Sequence, residues 1–164
     1  LGEAPEEEDE EDSETRLGSC EWLTPMATPV HVHGLLVQLD GAAEHGVALA
    51  SDGRVLTWGN SDEGRLGRKR TRGTSRIEHE QPTAVALVAD QRVCAVSAGG
   101  AQTIAVTEGG GLWMWGQLGQ DTYSLPVRVL GEKLGGGHFL RACASQCFML
   151  AVAIPPAAED EEDF

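Results

Sequence analysis

The sequence has few aromatic residues and no long apolar run. Phe, Trp and Tyr make up 5% of its 164 residues, and no apolar stretch approaches the roughly 20 residues that a membrane-spanning helix needs. The first residues are acidic, unlike the basic and apolar start of a secretory signal. No segment shows a helical period of useful length. We therefore expect an all-β protein located inside the cell, in the cytoplasm or nucleus, without membrane contact.

The cysteines do not form a recognisable metal or disulfide pattern. The four of them, Cys20, Cys94, Cys143 and Cys147, include no C-x-x-C motif and no paired zinc spacing. Cys94 lies in an apolar, strand-like run, which predicts a buried thiol. A reducing compartment fits this usage best.

The acidic residues are concentrated at the two ends. The net charge is -14, but 14 of the 26 acidic residues lie in regions 1–16 and 154–164. The remaining 12 balance the 12 Lys and Arg. Like charges repel and bury nothing, which predicts disordered tails. Two roles stay open: the tails solubilise the protein, or they dock on a basic surface of this chain or another in a salt-sensitive manner.

The middle of the sequence contains an internal repeat. The segment from His45 to Gly59 aligns without a gap with the segment from Gln102 to Gly116. Both contain a hydrophobic triplet, a Gly turn, an apolar strand and Trp-Gly. Such a repeat in a turn-rich chain indicates stacked supersecondary units. The positions assigned to the repeat, with the G-x-L-G turns that follow it, are Gly53, Trp58, Gly59, Gly64, Leu66, Gly67, Gly99, Gly110, Trp115, Gly116, Leu118 and Gly119.

A second pattern, P-x-x-V, marks the start of each unit. It occurs at Pro29, Pro82 and Pro126, and proline suits the first residue of a strand. Short β-branched or aromatic segments punctuated by glycine follow it, which predicts antiparallel four-stranded meanders. After an irregular lead-in at 17–28, the predicted repeat region is 29–153, with units at 29–81, 82–125 and 126–153. The third unit lacks its last strand.

These motifs resemble the repeat of the regulator of chromosome condensation family. That repeat runs P-x-x-V, A-G-x-x-H-T-x-A-L-T, D-G-x-V-x-x-W-G and N-x-x-G-Q-L-G. Arg65 stands where Gln is usual, and Gln102 replaces the His of H-T. Gln117-Leu118-Gly119 fits the last block after a deletion. The resemblance implies β-propeller blades, usually seven, of which this chain holds about two and a half. Since the chain also begins with Leu1, we expect the missing blades in a longer parent chain; a partner that completes the ring is the alternative.

The sequence predicts no catalytic, metal or cofactor site. His31 and His33 alternate on a strand but have no third ligand at a diagnostic spacing. No Ser-His-Asp or Cys-His pattern is present, and the Gly-rich runs lack the G-K-[ST] of a phosphate loop. Trp58, Trp113 and Trp115 are predicted to pack the blades, with both Trp113 and Trp115 on one face of a strand.

One basic segment lies inside the otherwise neutral repeat region. Glycine, threonine and serine residues within it favour an exposed loop. It is either a solvated loop or a surface that binds an acidic protein, nucleic-acid phosphates or the chain's own acidic tails. Ser75 lies in an R-x-R-x-x-S pattern that basophilic kinases accept, and a phosphate there would reduce the positive charge. The basic residues are Arg65, Arg68, Lys69, Arg70, Arg72 and Arg76.

The sequence therefore predicts a non-enzymatic protein-interaction module built on propeller repeats. The resemblance implies an alternative, a guanine-nucleotide exchange factor that stabilises the nucleotide-free form of a small GTPase. A third alternative is the propeller part of a larger ubiquitin ligase. No motif identifies the residues that would insert into a GTPase.

Overall fold

In a computed structural model of the chain, the described residues are Val32, 34–69, 81–87, 91–129, 137–146 and 148–155. Their regular structure is β-sheet, apart from one 3-10 turn at Asp62–Gly64. None of the residues in these ranges forms a helix long and apolar enough to span a bilayer. The predicted acidic tail 1–16 and lead-in 17–28 lie outside the described residues. Most of 154–164 also lies outside them, but Ile154 closes the last strand.

The first sheet is a four-stranded antiparallel meander. Its strands are β1 (Leu36–Gly41), β2 (His45–Ala50), β3 (Val55–Gly59) and β4 (Thr83–Ala84), in sequential order. The turn between β2 and β3 contains the predicted Asp-Gly pair, and Gly53 has the positive φ of 86° that this turn requires.

The second sheet repeats this arrangement with longer outer strands. Its strands are β5 (Val93–Gly99), β6 (Gln102–Thr107), β7 (Leu112–Leu118) and β8 (Asp121–Val129), again in sequential order. The register matches the first sheet: Gln102 pairs with Gly116 as His45 pairs with Gly59. The repeat found in the sequence is therefore a repeat in space.

A third, incomplete sheet follows as a hairpin. Strands β9 (His138–Ala144) and β10 (Met149–Ile154) pair antiparallel. The sequence predicted that the third unit lacks its last strand, and this stays a prediction because residues 130–136 and 156–164 lie outside the described ranges. The side of β10 away from β9 has no strand paired to it within the described part of the chain.

The P-x-x-V segments close the preceding sheet instead of opening a new one. Thr83 and Ala84 pair with β3 of the first sheet, and Val127 to Val129 pair with β7 of the second. A sheet boundary therefore falls one strand later than the unit boundaries assigned from the sequence. Proline has no N–H to donate and is tolerated on an outer strand, which suits either the first or the last strand of a sheet, so the motif by itself does not fix the boundary.

The sheets pack face to face and enclose two cores. The first core lies between the first and second sheets and includes Val47, Val55, Val96, Trp113 and Trp115. The second lies between the second sheet and the β9–β10 hairpin and is centred on Ile104, Val106 and Phe139. As predicted, Trp113 and Trp115 share one face and pack between blades.

The glycine of each Trp-Gly pair is required by the backbone. Gly59 and Gly116 have φ values of 105° and 97°. A Cβ at Gly59 would also lie 2.5 Å from the Glu44 carbonyl oxygen. At both positions an L side chain would be strained and would meet the main chain where the neighbouring strand begins.

The predicted burial of Cys94 was wrong. The register of β5 and β6 shifts between Val93 and Ala95, and this bulge turns Cys94 to the exposed side. Bulges place an extra residue in one strand and re-aim its side chain, so the alternation of the sequence does not hold there.

Candidate interaction site

A group of buried polar residues lies where the first blade meets the second. The loop after β3 carries Arg65, Leu66 and Gly67 across to the second blade. There the main-chain carbonyl of Arg65 accepts two hydrogen bonds, from Thr103 Oγ1 and from Trp115 Nε1, each 3.0 Å long. Leu66 is buried, and Gly67 has a positive φ of 66° where it packs on the Trp115 ring. We call His45, Arg65, Thr103 and Trp115 the interblade cluster.

His45 joins the cluster from the first blade. Its Nε2 lies 2.9 Å from Thr103 Oγ1. Since the single hydroxyl hydrogen of Thr103 is donated to Arg65, His45 Nε2 donates its own hydrogen to Thr103. The other ring nitrogen, Nδ1, is buried and has no partner among the described residues. Burial, and next the charge of Arg65, lower the pKa of His45 to about 4. The neutral imidazole is therefore the form that the fold holds.

The Arg65 side chain folds back onto its own blade. Its relative exposure is 5%, and its guanidinium forms ion pairs with Glu44 and with Glu63, the latter at 2.9 Å. Its Nε donates to the main-chain carbonyl of Asp62 at 2.9 Å. Arg65 was predicted to be an exposed partner-binding residue. The structure instead uses it to hold the turn at 65–67 against the second blade. Its charge is paired with Glu44 and Glu63, and its carbonyl accepts hydrogen bonds from Thr103 and Trp115.

Arg65→Ala is therefore expected to lower the free energy of unfolding by about 2 kcal/mol, since it removes several hydrogen bonds to a charged group while both carboxylates stay partly solvated. Arg65→Gln, which restores the residue usual in such repeats, should cost clearly less. Urea unfolding of both variants measures the difference. Equal losses would mean that the polar contacts of this side chain contribute little.

A second set of polar contacts links the first strands of successive sheets. The Gln38 amide pairs with the main chain of Val96, donating to its carbonyl at 2.7 Å and accepting from its N–H at 3.0 Å. Asp40 accepts from Ser97 Oγ at 2.8 Å and from the Ala98 N–H at 3.0 Å. Ser97 Oγ in turn accepts from the Ala144 N–H at 3.0 Å. Side chains thus join all three sheets near the edges of β1, β5 and β9.

The structure describes the basic segment as far as Lys69. Arg68 is half-buried and donates to the carbonyl of Thr57 at 3.1 Å. Its Nε is buried without a partner among the described residues, and burial lowers the pKa of this guanidinium. Lys69 is exposed. Arg68 thus anchors the start of the loop, and Lys69 is its first solvent-facing charge. The other predicted residues, Arg70, Arg72, Ser75 and Arg76, lie outside the described residues.

The loop has no counterpart in the second blade. Between β3 and β4 the chain passes through the 3-10 turn, then through residues 65–67, which we call the Arg65 turn, and then through the basic segment. Strands β7 and β8 are joined by Gly119 and Gln120 alone. Gln117 and Leu118, which match the G-x-L-G motif by sequence, continue strand β7. Gly119 keeps the positive φ of 62°, but it turns a hairpin and does not reach the next blade. Of the two four-stranded blades, the first alone carries the turn at 65–67 that reaches its neighbour.

The remaining repeat positions are structural in the described part of the chain. Gly64 has a positive φ and packs on the β8 main chain at Ser124. Gly99 packs on the main chain of Ala144 and Ser145, and Gly110 packs on His138. Trp58 is half-buried and does not belong to either core, unlike its counterpart Trp115.

Sequence reasoning missed the roles of His45, Gln38 and Asp40. A polar residue inside a run of buried strand positions is the signal that singles out His45. Gln38 and Asp40 give no such signal, because they alternate with apolar residues as any half-exposed strand does. No group of three or more His, Cys, Asp or Glu suitable for a metal occurs among the described residues. His31 and His33 lie outside them.

The two four-stranded antiparallel meanders stack face to face, and each is closed by a segment of the next sequence repeat. This arrangement defines the protein as a partial β-propeller. Residues 52–106 match the family described as "Regulator of chromosome condensation (RCC1) repeat". The chain therefore contains an RCC1 repeat over these residues, as its motifs predicted.

The chain is similar to longer proteins that contain these repeats. It is 34% identical over 102 residues to the mitochondrial RCC1 domain-containing protein RUG3 of Arabidopsis thaliana, covering 62% of this chain and 22% of that protein. It is 32% identical over 117 residues to the human E3 ubiquitin-protein ligase HERC2, covering 67% of this chain and 2% of that protein. The crystal structure of Prp20p from Saccharomyces cerevisiae has a TM-score of 0.65 and 17% identity, covering 82% of this chain and 34% of that one.

Proposed function

We propose that this chain is a non-catalytic protein-interaction module, with the basic loop that starts at Lys69 as its partner-binding surface. The proposal rests on a difference between two groups of polar residues: one group makes contacts within the fold, and the other is not part of the repeat. His45, Thr103, Asp40 and the main-chain carbonyl of Arg65 are used in contacts between blades. The Arg65 guanidinium is paired with Glu44 and Glu63 of its own blade. The exposed Lys69 and the basic residues at 70, 72 and 76 are additional to the repeat, so they are not needed to build a blade.

The charge of the loop indicates an acidic partner. Positive residues on a loop attract acidic proteins over about 10 Å at ordinary ionic strength. The chain's own acidic tails are a competing ligand for the same charges, and nucleic-acid phosphates are another. A protein surface is favoured because repeat arrays generally present binding surfaces for other proteins.

Replacing Lys69, Arg70, Arg72 and Arg76 with glutamine is expected to weaken binding to a poly-glutamate peptide about tenfold, because each exposed charge contributes only a fraction of a kcal/mol. Fluorescence anisotropy over a salt series measures the affinity and its slope. Arg65 and Arg68 stay unchanged, since both are built into the fold. The matched control replaces the exposed Arg128 and Arg141. An unchanged affinity and salt slope in the loop variant would leave the loop a solvated connection.

A second candidate is nucleotide exchange on a small GTPase. What favours it is that the structurally similar Prp20p is described by its binding to Gsp1p and histones. The chain spans only about a third of Prp20p and smaller shares of the relatives above, so an exchange activity is a proposal about this chain. Nucleotide release from a panel of GTPases, with and without the protein, tests it; acceleration of any one would replace the simple binding role. A part in a ubiquitin ligase remains a third proposal, which rests on the similarity to HERC2.

A location inside the cell remains part of the proposal. The cytoplasm and nucleus were predicted from the sequence, and the similarity to a protein described as mitochondrial adds a third compartment.

A further inference from the structure

The outer face of the first blade carries a second version of the interblade contact, and none of the described residues covers it. Trp58 and Gly46 occupy the same register positions on the first sheet as Trp115 and Thr103 on the second. In the second sheet this position is covered by the Arg65 turn. In the first sheet it opens on a cavity of about 580 Å³, lined by Trp58, Gly46 and Leu39 among others.

The exposure of this face differs along its length. Ala48 and Leu56, near its middle, are buried. At the Trp58 end, Leu39 is 67% exposed, and the Trp58 ring is half-buried over Gly46, in space that a side chain at that position would occupy. The Trp58 indole N–H donates to none of the described residues, whereas that of Trp115 donates to Arg65. The Trp58 end therefore has both an apolar surface and an unused donor.

The site at Trp115 on the second blade, which the turn after β3 covers, shows which kind of segment binds in such a groove. Residues 62–67, with the sequence D-E-G-R-L-G, supply the buried Leu66, the Gly67 that packs on Trp115, and the carbonyl of Arg65 that accepts the indole hydrogen. Glu63 holds the guanidinium of Arg65 from within the same segment. The ligand of this groove is thus a short turn with the pattern E-x-R-L-G.

The same pattern occurs once more in the chain. Residues 13–18 read S-E-T-R-L-G, so Glu14, Arg16, Leu17 and Gly18 match Glu63, Arg65, Leu66 and Gly67. The P-x-x-V at Pro29 follows it as the P-x-x-V at Pro82 follows the first copy. We propose that residues 13–18 dock in the groove at Trp58 and cover the outer face of the first blade as residues 62–67 cover the second.

The connection is long enough to permit this. Fifteen residues lie between Gly18 and Gly34, and at about 3.3 Å per residue the extended connection spans about 50 Å, more than the width of one blade. Docking would leave the acidic run before residue 13 tethered beside the first blade. Gly46 offers no hydroxyl where Thr103 has one, so this copy of the contact has one hydrogen bond fewer and is the weaker of the two.

Hydrogen exchange of the tryptophan indole N–H groups, followed by NMR in the full chain, tests the proposal. The indole of Trp58 is expected to exchange at least about tenfold faster in Leu17→Asp than in the unchanged protein, because a buried charge expels the turn. The Trp115 indole, which the Arg65 turn covers, should exchange equally slowly in both and reports that the blades stay folded. Trp58→Phe assigns the signal.

Leu23→Asp is the matched control, since Leu23 lies in the same lead-in but outside the pattern; it should leave the Trp58 rate unchanged. Equal Trp58 rates in the unchanged protein and Leu17→Asp would overturn the proposal. So would protection that disappears on dilution, because it would place a second copy of the chain in the groove.

Discussion

Replacing Trp115 with alanine is expected to lower the free energy of unfolding by about 3–5 kcal/mol, the range for removing a large buried aromatic side chain. Trp115 has a relative exposure of 0% and lies in the core shared by the first two blades. Its loss opens a cavity there and also leaves the carbonyl of Arg65 with one hydrogen bond instead of two. Urea unfolding followed by far-UV circular dichroism measures the change.

The matched variant is Trp58→Ala, at the same repeat position on the outer face. Trp58 is half-buried and belongs to neither core, so the loss should be about 1 kcal/mol, because less area is removed from contact. Trp115→Phe separates the two contributions: it keeps most of the packing and removes the indole donor, with an expected loss of about 1–2 kcal/mol. If both alanine variants lost the same free energy, the stacking of the first two blades would not depend on Trp115.

The free energy of unfolding is expected to fall by about 3 kcal/mol as the pH drops from about 6.5 to about 4, through His45 alone. The pKa of His45 is about 4 in the folded chain, against 6.5 for an ordinary histidine. Between these values the unfolded chain binds a proton that the folded chain does not. The stabilising contribution is therefore complete above pH 6.5 and is lost as the pH falls through the folded pKa.

His45→Gln isolates this contribution, because glutamine occupies the equivalent position in the second blade. There Gln102 Nε2 donates to the Ser145 carbonyl at 3.0 Å, so the chain itself shows that glutamine fits such a site. Unfolding measured at several pH values should show a shallower slope for His45→Gln between pH 4 and 6.5. Parallel slopes for the two proteins would mean that His45 titrates as it does in the unfolded chain. The carboxylates contribute to both proteins alike and cancel in the comparison.

Much of the fold was predictable because blades repeat. The aligned segments from His45 and from Gln102 became β2–β3 and β6–β7 in the same register, since alternating apolar residues and glycine turns act locally. The assignment of P-x-x-V to the wrong sheet was a failure of the same local reasoning. A strand pattern shows that Thr83 and Ala84 are extended, but it contains nothing about which neighbour supplies their hydrogen bonds.

The candidate site was less predictable for a related reason. Charge density in the sequence placed Arg65 in one group with Lys69 and its neighbours. In the structure Arg65 is buried, whereas Lys69, four positions later, is exposed. The difference arises from Glu44, which is distant in sequence but ion-paired to Arg65. Composition cannot distinguish an arginine that faces solvent from one that meets a carboxylate on another strand.

The sequence by itself determined the all-β class, the repeat, the glycine of each Trp-Gly pair and the presence of one basic segment, because each depends on residue types at fixed local spacing. Only the tertiary structure decided that the two four-stranded blades are closed by the next repeat, that Cys94 is exposed, and that Arg65 and His45 serve the contact between blades. These outcomes depend on pairing between residues far apart in sequence, where burial and desolvation decide which polar groups bind inside and which remain for a partner.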